Sequence, residues 1–134
     1  MSGDNTMFNL LHDKKFAKFW KRLNDDNTNG NISKSDKILL DKINHTLELL
    51  KENPFNRSLK SHEISFLSKF TGHKIFESYI ENNTSGAKRL FWHYGNANEI
   101  IIDNYSNHPN KTNKKDYIKA FTTKNEEYLD DIDN

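Results

Sequence analysis

The sequence predicts an α+β domain, and three observations carry that reading: two stretches of apolar residues at helical spacing before Pro54, runs rich in aromatic and β-branched residues after Lys74, and turn chemistry between those runs. The chain has 134 residues, 20 Lys and Arg against 19 Asp and Glu, no cysteine and 34% apolar residues. Its mean hydropathy is −0.95. One small domain is the expectation, residues 1–125, followed by an acidic tail, residues 126–134. No run approaches the roughly 18 apolar residues of a membrane span, and Met1 to Met7 has no apolar core like a secretory signal. The chain therefore reads as cytoplasmic. Without cysteine, disulfide staples and thiolate metal sites are excluded, and nine Phe, five Tyr and two Trp supply the bulk of a thin core.

Thr6 to Leu11 is short and mostly apolar and reads as a first strand, with Asp13 as N-cap of the first helix. Phe16, Phe19, Trp20 and Leu23 line one face of that amphipathic helix, with Lys14, Lys15, Lys18, Lys21 and Arg22 largely off it. Asn24 to Asn31 lacks periodicity and reads as a polar loop. Ser33 and Asp36 have capping-box spacing, and Ile38, Leu39, Ile43, Leu47 and Leu50 form a second apolar stripe, ended by Asn53-Pro54. Lys74 to Glu81 and Lys88 to Tyr94 read as a hairpin around Asn82 to Gly86. Gly95 to Asn98 is a second turn and Glu99 to Tyr105 a third strand, making an antiparallel meander. Tyr117, Ile118 and Phe121 mark a short C-terminal helix. The predicted architecture is two N-terminal helices packed on a small twisted antiparallel sheet.

Charge is unevenly distributed. Residues 1–125 carry +6 and the last nine residues −5, through Glu126, Glu127, Asp130, Asp131 and Asp133. A basic body fits a polyanion partner and also lies within the range of ordinary surfaces. Lysine outnumbers arginine 17 to 3, so each arginine is the more informative residue.

Alternation in Lys88 to Tyr94 puts Arg89, Phe91 and His93 on one face and Leu90, Trp92 and Tyr94 on the other. The second set is the better core face. Arg89 and His93 then project into solvent or a groove, as a phosphate ligand and a proton carrier or as scattered polar residues of a surface strand. The six histidines, His12, His45, His62, His73, His93 and His108, lack zinc-like spacing, so no metal and no cofactor is expected. His45 lies near the apolar stripe and reads as structural; His12 stays unassigned. There is no G-x-S-x-G elbow, P-loop or G-x-G-x-x-G, which removes the motif grounds for a serine hydrolase, an NTPase or a dinucleotide enzyme.

Asn53-Pro54-Phe55, Ser58 to His62, Glu77 to Ile80, Arg89 to Tyr94, Ile100 to Ile102 and His108, in that order, resemble the RelE/ParE superfamily of type II toxins, particularly RelE-like and YafQ-like mRNA interferases. The resemblance covers about residues 7–121. It implies a RelE-like, microbial-RNase-like fold and metal-independent, ribosome-dependent cleavage of mRNA that inhibits translation, with a cognate antitoxin, the ribosome and mRNA as partners and no membrane. In that chemistry the ribose 2′-OH attacks the adjacent phosphate, so an acid, a base and a stabiliser of phosphoryl charge are needed.

By the same resemblance Arg89 stabilises the phosphate, Lys60 is an electrostatic partner, and His62 and His108 share the acid and base roles in an order the sequence leaves open. Tyr117 matches the family's C-terminal aromatic, and it also fits a helical core stripe. Arg57, Lys111, Lys114 and Lys115 complete the basic surface expected to meet RNA. The turn Asn107-His108-Pro109 departs from the family's G-H-R by lacking the arginine. Two other readings keep the fold: a ParE-like toxin that binds DNA gyrase, and a non-catalytic protein-binding module.

Removing residues 126–134 takes away charge that an RNA-binding face repels. Truncation is expected to strengthen RNA or ribosome association at low salt, measured by co-sedimentation; weaker association would contradict the charge separation.

Overall fold

Each long helix begins where a side chain takes up a free backbone N–H. In the computed structural model, which describes residues 7–81, 87–107 and 113–122, strand β1 (Asn9–His12) is followed by helix α1 (Lys14–Thr28). Asp13 caps α1 by accepting from the Lys15 N–H at 2.9 Å. Ser33 caps α2 (Lys34–Glu52) by accepting from the Asp36 N–H at 3.1 Å. Asn53, in extended conformation before Pro54, ends α2 as expected. A single 3₁₀ turn (Arg57–Leu59) leads to β2 (His62–Glu63), α3 (Ser65–Thr71), β3 (Phe76–Tyr79), β4 (Lys88–Tyr94), β5 (Glu99–Asn107) and α4 (Lys114–Thr122).

These strands form one sheet in the order β1-β5-β4-β3-β2. The expected meander β3-β4-β5 is antiparallel, but the sheet is mixed, because β1 lies parallel to β5 from Asn9 opposite Glu99 to His12 opposite Ile102. The hairpin turn expected at residues 82–86 and the acidic tail lie outside the described residues. Among the described residues, no helix is long and apolar enough to cross a membrane.

Of the expected loop over residues 24–31, residues 24–28 are instead the last turn of α1. Ion pairs one turn apart, Lys21 to Asp25 at 2.6 Å and Arg22 to Asp26 at 3.4 Å, carry the helix on to Thr28. Gly30, at φ +74°, then makes the left-handed exit. On α2 the buried stripe is Leu40, Ile43, Thr46, Leu47 and Leu50, whereas Ile38 is 49% exposed. His45 stands on the exposed side of α2.

Both faces of the sheet are covered. Phe16, Phe19 and Leu23 of α1 and the α2 stripe pack on Leu90, Trp92, Ile100, Ile102 and Tyr105. On the opposite face, α3 and α4 close a second, smaller core of Ile64, Leu67, Ile75, Phe91 and Tyr117. The alternation expected for β4 holds, yet the face carrying Arg89, Phe91 and His93 is not open: Arg89 is 4% exposed. Helix α3, unforeseen from the sequence, and α4 supply the extra layer. Tyr94, expected in the core, is at the strand's end and 41% exposed.

A register shift adapts β5 to both cores. Pairing passes from Phe91 opposite Asn104 to Trp92 opposite Ile102, leaving Asp103 as the extra residue. Ile102 and Tyr105 therefore both join the α1/α2 core, while Asn104 donates from Nδ2 to the Phe121 carbonyl of α4 at 2.7 Å.

A hydrogen-bond chain ties the first core to the segment after α2. Trp92 Nε1 donates to Ser78 Oγ at 2.7 Å, the Ser78 and Ser61 hydroxyl oxygens lie 2.6 Å apart, and Ser61 donates to the Pro54 carbonyl at 2.6 Å. Because Ser61 has one proton, already given to Pro54, Ser78 must donate to Ser61. Lys60 and His62 flank the pinned serine.

Leu50→Ala is expected to cost about 2–5 kcal/mol in urea unfolding, whereas Ile38→Ala stays within about 0.5 kcal/mol. Equal losses would show that the helix faces are assigned wrongly.

Candidate functional site

Strand register assembles the site on the sheet face that α4 covers. His62 of β2 lies opposite Glu77 of β3, and Tyr79, two residues on, lies opposite Arg89 of β4. Period-two alternation puts Glu77 and Tyr79 on one face. Tyr117 of α4 closes over Glu77.

Glu77 has no exposed surface. Its Oε1 lies 3.2 Å from His62 Nε2, and Tyr117 hydrogen-bonds to its carboxylate. Burial pushes the Glu77 carboxyl above its ordinary range, against the opposing pull of the His62 and Arg89 charges and the Tyr117 hydrogen bond. The Tyr117 hydroxyl is pushed up to about 12, first by burial and then by the Glu77 charge, so it stays protonated and donates.

His62 is the accessible end, its side chain 46% exposed. Its Nδ1 lies 2.9 Å from the Lys60 carbonyl, which can only accept, so Nδ1 carries a proton. Lys60 adopts left-handed backbone at φ 49°, a conformation that costs a non-glycine residue about 1 kcal/mol. The two ring nitrogens thus face a carbonyl and a carboxylate. An imidazolium satisfies both acceptors at once, and a neutral ring requires the shared proton to sit on Glu77.

Arg89 is held from below. Its guanidinium lies 3.5 Å from the centroid of the Tyr79 ring and donates through one terminal nitrogen to the Glu81 carbonyl at 2.8 Å. Its buried Nε has no hydrogen-bond acceptor among the described residues. Lys60 Nζ lies 5.6 Å from the centroid of the same Tyr79 ring.

Of the residues singled out in the sequence, the structure brings Lys60, His62, Arg89 and Tyr117 together. Arg57 is exposed on the 3₁₀ turn, and Lys114 and Lys115 are exposed at the start of α4. His108 and Lys111 lie outside the described residues. Sequence reasoning missed Glu77 and Tyr79. Their signal was a lone carboxylate and a tyrosine at alternate positions of a four-residue strand whose pairing places them beside His62 and Arg89.

Farther along the same face, His93 Nδ1 meets Asp103 Oδ2 at 2.8 Å, and the His73 and His93 rings lie 4.2 Å apart. Burial raises the Asp103 carboxyl, partly offset by the hydrogen bond from His93. Among the described residues, no three histidine or carboxylate side chains are placed to share a metal ion. Comparison of the chain with protein-family profiles, curated proteins and solved structures gives no match.

Because Glu77 holds its proton more tightly folded than unfolded, its contribution to stability is full below the ordinary carboxyl pKa. That contribution is lost as pH rises through the raised folded value. Glu77→Gln removes the titrating carboxyl, and the difference in melting temperature between variant and wild type is expected to shift in the variant's favour as pH rises from about 4 to neutral. A constant gap across that range would show that Glu77 does not carry this pH dependence.

Proposed function

We propose that this chain is a toxin of the RelE/ParE type: an endoribonuclease that cleaves message on the ribosome without a metal and is neutralised by a cognate antitoxin. The observation that carries the reading is the convergence of His62, Arg89 and Tyr117 on buried Glu77, from three separate segments of the chain, with Lys60 over the adjoining Tyr79 ring. The mixed sheet, with α1 and α2 on one face and α3 and α4 on the other, is an α+β fold whose layout differs from the two helices on an antiparallel sheet expected from the sequence.

The chemistry assigns the exposed groups to the substrate. Lys60 and His62 meet the phosphate, with Lys60 offsetting its charge and the half-exposed His62 imidazolium turning its Nδ1 proton from the Lys60 carbonyl to the leaving 5′ oxygen while Nε2 stays on Glu77. The 2′ oxygen loses its proton, its bond to phosphorus forms and the P–O5′ bond breaks, leaving a 2′,3′-cyclic phosphate and a 5′-hydroxyl. Glu77 orients His62 and returns its charge state after transfer. Arg89, being buried, balances Glu77 and fixes Tyr79 instead of binding the phosphate directly. Tyr117 holds the carboxylate from the α4 side. With His62 as the acid, the base role falls to His108, the other histidine to which the resemblance gives a share in proton transfer; it lies outside the described residues.

Expression of the wild type is expected to arrest growth, with message ends carrying 2′,3′-cyclic phosphate. His62→Gln is expected to lower cleavage by a factor on the order of 10²–10⁴ with an unchanged far-UV spectrum. Intact message during arrest would sink the nuclease reading, and altered DNA supercoiling in its place would favour gyrase inhibition.

A further inference from the structure

Helix α3 carries two large apolar side chains that the fold leaves open. Phe66 is 38% and Phe70 54% exposed, one turn apart on the same side of the helix, while Leu67 is fully buried and holds α3 against the second core. Thr71 donates to the Leu67 carbonyl at 2.9 Å, and Gly72, at φ +87°, stops the helix with its N–H on the Ser68 carbonyl. The two rings are thus presented by a fixed support. With Lys69 and Lys114 they line a surface cavity of about 370 Å³. Among the described residues neither lysine forms an ion pair. The Phe66 ring lies 6.3 Å from the ring of Tyr117, the residue that hydrogen-bonds to Glu77.

We infer that Phe66, Phe70, Lys69 and Lys114 form a binding subsite for single-stranded RNA, stacking its bases while the lysines meet its phosphates. The inference rests on the RNA-cleaving reading and extends it to a surface that the resemblance does not assign. Exposed aromatic faces interleaved with unpaired cations match a ligand that is planar and apolar on one side and anionic on the other. A purely apolar partner leaves the two lysines without counter-charge. Sequence preference is expected to be weak, because every base offers a stacking face and, among the described residues, no carboxylate or amide lines the cavity to read base edges.

The test is fluorescence anisotropy with full-length protein and a fluorescein-labelled single-stranded RNA of about eight nucleotides, 2′-O-methylated throughout so that it binds without being cleaved. Replacing both Phe66 and Phe70 by Ala is expected to weaken binding by roughly 5- to 100-fold. The Leu pair, which keeps apolar volume but no ring, is expected to lose nearly as much, and the Tyr pair to bind like the wild type. Replacing Lys69 and Lys114 by Gln is expected to flatten the slope of log affinity against log salt by about 1.4. Thermal melts of each variant report folding separately. Wild-type affinity in the Ala pair, or in the Leu pair, overturns the subsite while leaving RNA cleavage standing, and identifies the surface as a protein contact if antitoxin binding falls instead. A wild type that neither binds this RNA nor cleaves message overturns both.

Discussion

A carboxylate with no access to water, Glu77, organises the second face of this protein. A lone buried carboxylate is strongly unfavourable unless it is protonated or answered by charge and hydrogen bonds. Here the answers come from three directions: His62 from the strand on one side, Arg89 from the strand on the other, and Tyr117 from the helix above. The pairing of β2 with β3 matters mainly because it sets His62 opposite Glu77. Helix α4 is correspondingly more than a cover, since its one fully internal side chain supplies a hydroxyl to that carboxylate. A site built this way sacrifices stability for a proton shared between a buried and an accessible group, an arrangement that structural cores avoid and catalytic sites use.

The two faces of the sheet are coupled through Ser78. Its neighbours in β3, Glu77 and Tyr79, point into the site, while Ser78 itself points into the α1/α2 core, where it takes the indole proton of Trp92 and passes its own to Ser61. The segment that delivers Lys60 and His62 is therefore anchored to the larger, more apolar core and not to the polar cluster it serves. Positioning comes from one layer and chemistry from the other, so the exposed imidazole can be held in place without burying it.

Much of this was legible in the sequence wherever a local rule acts alone. Asp13, Ser33 and Asn53-Pro54 mark helix ends through the hydrogen bonds or steric limits of single residues, and each marks its boundary in the structure. The alternation of β4 was legible for the same reason. The features that escaped depend on neighbours distant in sequence or on contacts without a period. Residues 24–28 carry no apolar period, and only the ion pairs to the preceding turn keep them helical. Helix α3 is too short to show a period and exists because Leu67 is buried against a strand and a helix that come later in the chain. Arg89 looked like an exposed ligand because nothing local announces the layer above it, and Glu77 became visible as part of a site only when the register of two strand pairs set it beside His62 and near Arg89.

The parallel pairing of β1 with β5 joins positions about 90 residues apart in the chain. Every other strand contact among the described residues is closed by a neighbour in sequence, so the meander can form locally while β1 waits for β5. Until then the α1/α2 layer lacks Ile100, Ile102 and Tyr105, and its apolar surface stays exposed. The topology thus places the covering of the larger core last, at the pairing of the two strands farthest apart in the sequence.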